Sequence, residues 1–251
     1  MMNKYLFIIV FSLFFSSTLN AETTRIMLLG DSITFDYRFL DNTNPRPLSQ
    51  RSGYRNYLWY KLKAAKYDVD FVGRQHAGSA IRPVFDIDHE GYSGISSQGI
   101  ADGIAPPIQL LAPHIVVLHI GTNDYSTSIT GVENILKKID ALEKSYHFPI
   151  TIIVARIINK TNYSSIVSTF NRNLQRMLDR RIAKGDDLVV VDMEHDAGLH
   201  YDSRDFSDLL HPNNSGYRKM AEVWFKAIDK VMKRKNNNAF LIPTVYSLLL
   251  N

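Results

Sequence analysis

Five short apolar runs, each closed by glycine or flanked by proline or aspartate, set the secondary-structure reading of the chain. Arg25 to Leu29 ends at Gly30, Val69 to Val72 at Gly73, and Ile115 to Ile120 at Gly121. Ile150 to Val154 and Leu188 to Val191 are rich in β-branched residues and are bounded by Pro149 and Asp192. Runs this short with no polar alternation read as strands covered on both faces. Between them the apolar spacing turns helical. Tyr57, Leu58, Leu62 and Ala65 precede the second run, Val132, Ile135, Leu136, Ile139 and Leu142 follow the third, and Ile166, Phe170, Leu174, Met177, Leu178 and Ile182 precede the fifth. Strand and helix alternate, which predicts an α/β domain of three α/β/α layers, with about five parallel strands and right-handed crossovers. Sites in such sheets lie at the carboxyl ends of strands, so chemistry is expected just after Leu29, Val72, Ile120 and Val191.

The amino end departs from this pattern. Lys4 precedes an apolar run from Tyr5 to Phe15, and a small-polar stretch ends at Ala21. That reads as a signal peptide over residues 1–21, shorter than the ~20 apolar residues of a membrane span, so the mature protein is expected to be exported to the periplasm or secreted, without a transmembrane span. Lys4 is the leader's one charged residue, so cleavage lowers the formal net charge of +4 by one. A balance this small, without a long basic run, argues against nucleic acid as a partner. The absence of cysteine rules out disulfides, a thiol nucleophile and thiolate metal sites. Residues 22–235 are long enough for one domain.

Four stretches carry chemistry. Gly30-Asp31-Ser32-Ile33-Thr34 places a hydroxyl directly after the first strand, although Asp and Ser at a strand end also serve as turn and helix caps. Asp208-Leu209-Leu210-His211-Pro212-Asn213 sets a carboxylate three residues before a histidine, close enough to fix its tautomer. Ser215 and Gly216 then open a last helix with Tyr217, Met220, Ala221, Trp224, Phe225 and Ile228 on its apolar stripe. Gly94, and Asn123 within Gly121-Thr122-Asn123-Asp124, are suitable donors to an oxyanion. His119 and Asp124 are expected to hold that block by hydrogen bonds rather than to react.

Taken in order, Gly30-Asp31-Ser32, Gly94, Gly121 to Asp124 and Asp208 to His211 resemble the four blocks of the SGNH (GDSL-type) hydrolase superfamily. The wider wording resembles its acetylxylan esterase branch, carbohydrate esterase family three: Ile26 to Thr34, Gly53-Tyr54-Arg55, Val69 to Gly73, His89 to Gly94 and Leu209 to Pro212. The resemblance implies the SGNH, flavodoxin-like architecture. It also implies Ser32 as nucleophile, His211 as base, Asp208 as its orienting acid, and Ser32 N–H, Gly94 N–H and the Asn123 side chain as the oxyanion hole. No cofactor and no metal are implied. The expected activity is hydrolysis of acyl esters, acetyl above all, on a carbohydrate such as an acetylated glycan. A lipase-like or short-chain acyl esterase of the same superfamily is the alternative, and a non-catalytic glycan-binding protein on the same fold is the alternative from another class.

Other residues compete. Ser93 lies between two glycines but follows no strong apolar run. Asp192, Glu194, His195, Asp196 and His200 might suggest a divalent metal, yet lack a helical His-x-x-x-His spacing and read as a solvated loop. Tyr37, Phe39, Arg46, Arg51 and Tyr54 read equally as cleft wall or as surface loop. Asn236-Asn237-Asn238 reads as a flexible break before an apolar tail, Ala239 to Leu250, expected to fold back over an apolar groove ahead of a dimer contact or a membrane-surface role.

Overall fold

The computed structural model describes residues 22–248, with the backbone alone described at 236 and 238–248. The expected leader, residues 1–21, therefore lies outside the described residues. Five parallel strands form the centre: β1 (Thr24–Gly30), β2 (Val69–Val72), β5 (Ile115–His119), β6 (Thr151–Arg156) and β7 (Leu188–Asp192). They match the five apolar runs to within a residue or two. Two short strands complete a seven-stranded mixed sheet: β3 (Gln75–His76) and β4 (Asp88–Gly91), antiparallel to each other. The path runs β3-β4-β1-β5-β6-β7, with β2 also on β1.

One edge of β1 is shared. Its first half pairs with β2, from Thr24 with Val69 to Met27 with Val72, and its last two residues pair with β4, Leu29 with Glu90 and Gly30 with Gly91. Thus β4, not β2, runs beside the site end of β1, so the expectation of chemistry just after Val72 is corrected. At Gly73 the chain crosses so close to His89 that an added Cβ would overlap the His89 backbone.

The strict alternation of β1 fills two cores. Ile26 and Leu28 face a layer built on α2 (Arg55–Ala64) and α7 (Asn214–Leu248), where Leu58, Leu62, Tyr217, Trp224 and Ile228 are fully buried. Met27 and Leu29 face the opposite layer, made of α3 (Ser97–Gly103), α4 (Ala105–Leu111), α5 (Thr130–Tyr146) and α6 (Ser165–Ile182). Helices on both faces are as expected, and α2, α5, α6 and the start of α7 fall where the apolar spacing puts them. The break expected at Asn236-Asn237-Asn238 is not there, because α7 continues through it to Leu248. Asparagine costs a helix only about 0.5–0.7 kcal/mol relative to alanine, too little to end one. Among the described residues no helix is long and apolar enough to cross a membrane.

Candidate active site

The site is assembled where β1, β4 and β5 end. An added Cβ at Gly30 would collide with Thr34 and the His119 carbonyl, so glycine is what lets β1 and β5 run together to this point. The chain then enters the short helix α1 (Ser32–Phe35), whose N-cap Asp31 accepts the Ile33 N–H at 3.0 Å. Ser32 is the first residue of α1, so its N–H has no intrahelical acceptor. Its side chain is held at the rim, and the residue is only 3% exposed.

His211 arrives from the other end of the sequence, on the loop that leads into α7. Ser207 N–H donates to the His211 carbonyl at 2.8 Å, and Phe206 bridges Pro212, which folds this loop back on itself. The His211 Nε2 lies 3.0 Å from Ser32 Oγ across 179 positions of sequence, and Nδ1 lies 3.0 Å from each carboxylate oxygen of Asp208. Asp208 Oδ1 also accepts the Leu210 and His211 N–H groups, both at 2.8 Å, and Oδ2 accepts the Phe39 N–H at 2.8 Å. Burial pushes this carboxyl up, but the His211 ring and the Phe39, His211 and Leu210 N–H groups more than offset it and bring its pKa to about 2. The Phe39 ring stands edge-on to the imidazole, centroids 5.0 Å apart. A hydroxyl, an imidazole and an ionised carboxylate in this order can pass the hydroxyl proton to the ring while the acid stabilises the imidazolium.

The loops after β4 and β5 close the third side. Tyr92 N–H donates to the Gly30 carbonyl at 3.0 Å, tying the chain after β4 to the end of β1. Gly94 then turns at φ +76°, exposed, with open space where a Cβ would stand. Asn123 Nδ2 donates to the Ile95 carbonyl at 2.9 Å, and the Asp124 carboxylate accepts the Ser97 N–H at 2.7 Å and the Ser97 hydroxyl at 2.5 Å. Ser32, His211 and Asp208 are thus hydrogen-bonded in line, and the loops bearing Gly94 and Asn123, which follow β4 and β5 on either side of β1, are cross-linked to each other. Asp124 acts as expected of it. Among the described residues the His119 ring makes no hydrogen bond to the block: it is fully buried, its pKa is pushed down to about 4 by burial, and its Nε2 accepts the Ile158 N–H at 3.4 Å.

The sequence model of the GDSL-like lipase/acylhydrolase family matches residues 28–219. The chain belongs to this family. It is a carboxylic ester hydrolase of the SGNH (GDSL) type. Among curated proteins it is similar to a multidomain esterase of Ruminococcus flavefaciens, 27% identical over 254 residues, covering 89% of this chain and 31% of that protein. The chain thus spans about a third of that relative's length. Its fold is similar to a family 3 carbohydrate esterase of Clostridium thermocellum, with TM-score 0.69, 25% identity, and coverage of 85% of this chain and 98% of the other. It is also similar to an acetyl esterase mutant solved with an acetate ion, with TM-score 0.69, 25% identity, and coverage of 84% and 99%.

Several residues of this GDSL-type esterase stand elsewhere than expected. Tyr54 is fully buried in the core and stacks toward Trp224, Arg46 spans the Asp36 and Asp41 carboxylates, and Arg51 donates to the Arg46 carbonyl. Of that loop, Phe39 is the residue that reaches the site. Ser93 is exposed after β4, a strand without an apolar run, and among the described residues His211 is hydrogen-bonded to Ser32 and not to Ser93. The ligating atoms of Asp192, Glu194 and His195 come within 4.8 Å of one another. They are already committed, however: Asp192 to Arg156 at 2.7 Å and His195 at 2.9 Å, and Glu194 to Ser168, Asn159 and Asn171. Glu194 is buried, so the expectation of a wholly solvated loop is corrected there.

Asp31 has a cost built into it. It is fully buried, its Oδ2 has no hydrogen-bond partner among the described residues, and the nearby Thr122 hydroxyl does not meet hydrogen-bond geometry. Burial raises its pKa to about 6, against the pull of the Ile33 N–H. A carboxyl whose folded pKa lies above its unfolded one favours the fold most below pH ~4, and that contribution is lost as pH rises through about 6. Asp31→Asn keeps the acceptor for Ile33 and cannot ionise. Between pH 4 and 7 the stability of wild type relative to Asp31→Asn should fall by on the order of 2 kcal/mol. Thermal melts of both proteins across that range check it, and a constant difference contradicts it.

Proposed function

We propose that this chain hydrolyses acetyl esters, with O-acetyl groups on a carbohydrate as its substrates, through a Ser-His-Asp acyl-enzyme mechanism. The observation that carries the reading is the unbroken relay from Asp208 through His211 to Ser32, with both gaps at 3.0 Å. His211 takes the Ser32 proton as Oγ attacks the ester carbonyl. The oxyanion is met by the N–H groups of Ser32 and Gly94 and the Asn123 amide, whose orientation the Ile95 carbonyl sets. His211 then protonates the departing sugar oxygen, and a water, giving its proton to the same ring, attacks the acetyl carbon and releases acetate as the ring returns that proton to Ser32 Oγ. Asp208 keeps the imidazole in the tautomer with its free lone pair toward Ser32. The reading includes export, with residues 1–21 as the leader and residues 22–235 as one hydrolase domain.

The acetyl preference is supported by the similarity to an acetyl esterase and to a family 3 carbohydrate esterase. One feature favours a longer acyl chain: a mostly apolar cavity of about 380 Å³ beside the Gly94 turn, walled by Tyr92, Ile95, Ile100 and Ile104. None of Ser32, Gly94, Asn123 and His211 lines it, so an acetyl group on Ser32 has no use for it and only a longer acyl chain would reach it. Acetate release from acetylated xylan, with turnover of chromogenic esters of increasing acyl length, tests the assignment. Rates that peak at acetate and vanish in Ser32→Ala support it, whereas rates that rise with chain length assign the cavity to the acyl group. Asn123→Ala should lower kcat on the chromogenic acetate by roughly 10²–10³-fold with little change in KM, because the amide meets charge present only in the transition state. A change in KM alone would remove Asn123 from the oxyanion site.

A further inference from the structure

The loop that follows β6, residues 157–164, is tied down by a single buried asparagine. Asn159 is buried; its Oδ1 accepts the Lys160 and Ser164 N–H groups, each at 2.8 Å. Its amide donates to the Ser164 carbonyl, the Ser168 hydroxyl and Glu194. Thr161 N–H donates to the Leu209 carbonyl at 3.1 Å, which docks the loop against the segment bearing Asp208 and His211. This network presents Lys160 at the rim, where among the described residues no carboxylate pairs with it. Its ammonium lies 5.2 Å from the centre of the Tyr125 ring.

Tyr125 is unusual in its own right. It stands two residues beyond Asn123, in the left-handed region at φ +49°, and is 70% exposed. A non-glycine residue pays about 1 kcal/mol or more for that backbone conformation, and an exposed ring returns little of it by burial. The Tyr125–Lys160 pair spans the gap between the loop carrying Asn123 and the loop docked on the Asp208–His211 segment. A narrow crevice lined by Thr122, Tyr125, Lys160 and Ser164 lies beneath it. The Lys160 ammonium stands over one face of the exposed Tyr125 ring, a pairing that suits a sugar with a negative charge: its carboxylate meets the ammonium while its C–H groups pack on the rest of the ring.

We propose that Tyr125 and Lys160 form a subsite for a uronic acid unit of the substrate glycan, placed so that an acetyl group on a neighbouring sugar reaches Ser32. The proposal rests on the carbohydrate reading above, and its test is separated from that reading by using oligosaccharides without any ester. Binding of a xylo-oligosaccharide bearing a glucuronic acid branch, and of its unbranched counterpart, is measured by calorimetry on the full chain carrying Ser32→Ala. The branched ligand should bind about fivefold tighter at low salt, and the advantage should shrink as salt rises. Lys160→Met, which keeps the aliphatic stem, should abolish the advantage without weakening the unbranched ligand. Tyr125→Asn, a residue that tolerates the left-handed region, should weaken both ligands about threefold or more. Equal binding of the two ligands, no binding of either, or an advantage that survives Lys160→Met overturns the subsite. An inert wild type on chromogenic acetate and acetylated xylan would instead overturn the esterase reading and leave the calorimetric result standing by itself.

Discussion

Ser32→Ala is expected to lower kcat on a chromogenic acetate by roughly 10⁶-fold, and Asp208→Asn by roughly 10⁴-fold. The two effects should not add, because the residues act as one unit. Removing the nucleophile leaves only what substrate binding and the oxyanion donors supply, so further loss of the acid has little left to act on. In Asp208→Asn the four contacts to the carboxylate keep their geometry only in part. An amide oxygen can still accept the His211 Nδ1–H or the N–H groups, but its NH2 would face the Phe39 N–H or the ring as donor against donor. The ring is then free to adopt the tautomer that places a proton, not a lone pair, toward Ser32. Steady-state kinetics on single and double variants check this. A double variant 10⁴-fold slower than Ser32→Ala would mean that the two residues work in separate reactions.

Gly73→Ala should destabilise the protein by about 3 kcal/mol, or about 6–12 °C in melting temperature. The new Cβ would overlap the carbonyl group and Cα of His89, which are backbone and have no rotamer in which to escape. Relief requires β4 to move off the end of β1, and with it the chain that leads to Gly94. Activity should therefore fall more than the fraction unfolded accounts for. Gly103→Ala is the control: nothing lies within 4 Å of its added Cβ, at the end of α3, so it should be neutral or stabilising by about 0.5–1 kcal/mol. Melts of the two variants side by side decide whether the close crossing at Gly73 is as tight as it looks, and equal melting temperatures would refute it.

What could be read from sequence follows from what buries each segment. β1, β2, β5, β6 and β7 announce themselves because strands covered on both faces must be apolar throughout. β4 does not, because Asp88-His89-Glu90-Gly91 is buried by polar means: Glu90 takes the Arg74 N–H and guanidinium and the Tyr92 hydroxyl, and His89 lies under Gly73. Without β4, the route that brings Gly94 beside Ser32 could be inferred only from the motif order. α3 and α4 were equally hidden, since one carries two glycines and the other two prolines, although Ile100, Ile104 and Ile108 keep helical spacing. Of the motif residues, Ser32, His211 and Asp208 are hydrogen-bonded to one another, while Gly94 and Asn123 lie on the loops that follow β4 and β5. Phe39, Thr161 and Asn159, which hold Asp208, its neighbour Leu209 and the loop after β6, carry no motif, because any residue offers a backbone N–H and an asparagine looks alike in a turn or in a core.

The long helix α7 gives the layout a temporal consequence. The loop bearing His211 leads directly into that helix, whose Tyr217, Met220 and Trp224 are buried in the core shared with α2, so the loop is anchored at one end by this packing. In the proposed mechanism, a chain whose last helix has not packed holds a serine without its proton acceptor. Turnover during refolding is therefore expected to appear no earlier than the docking of that helix.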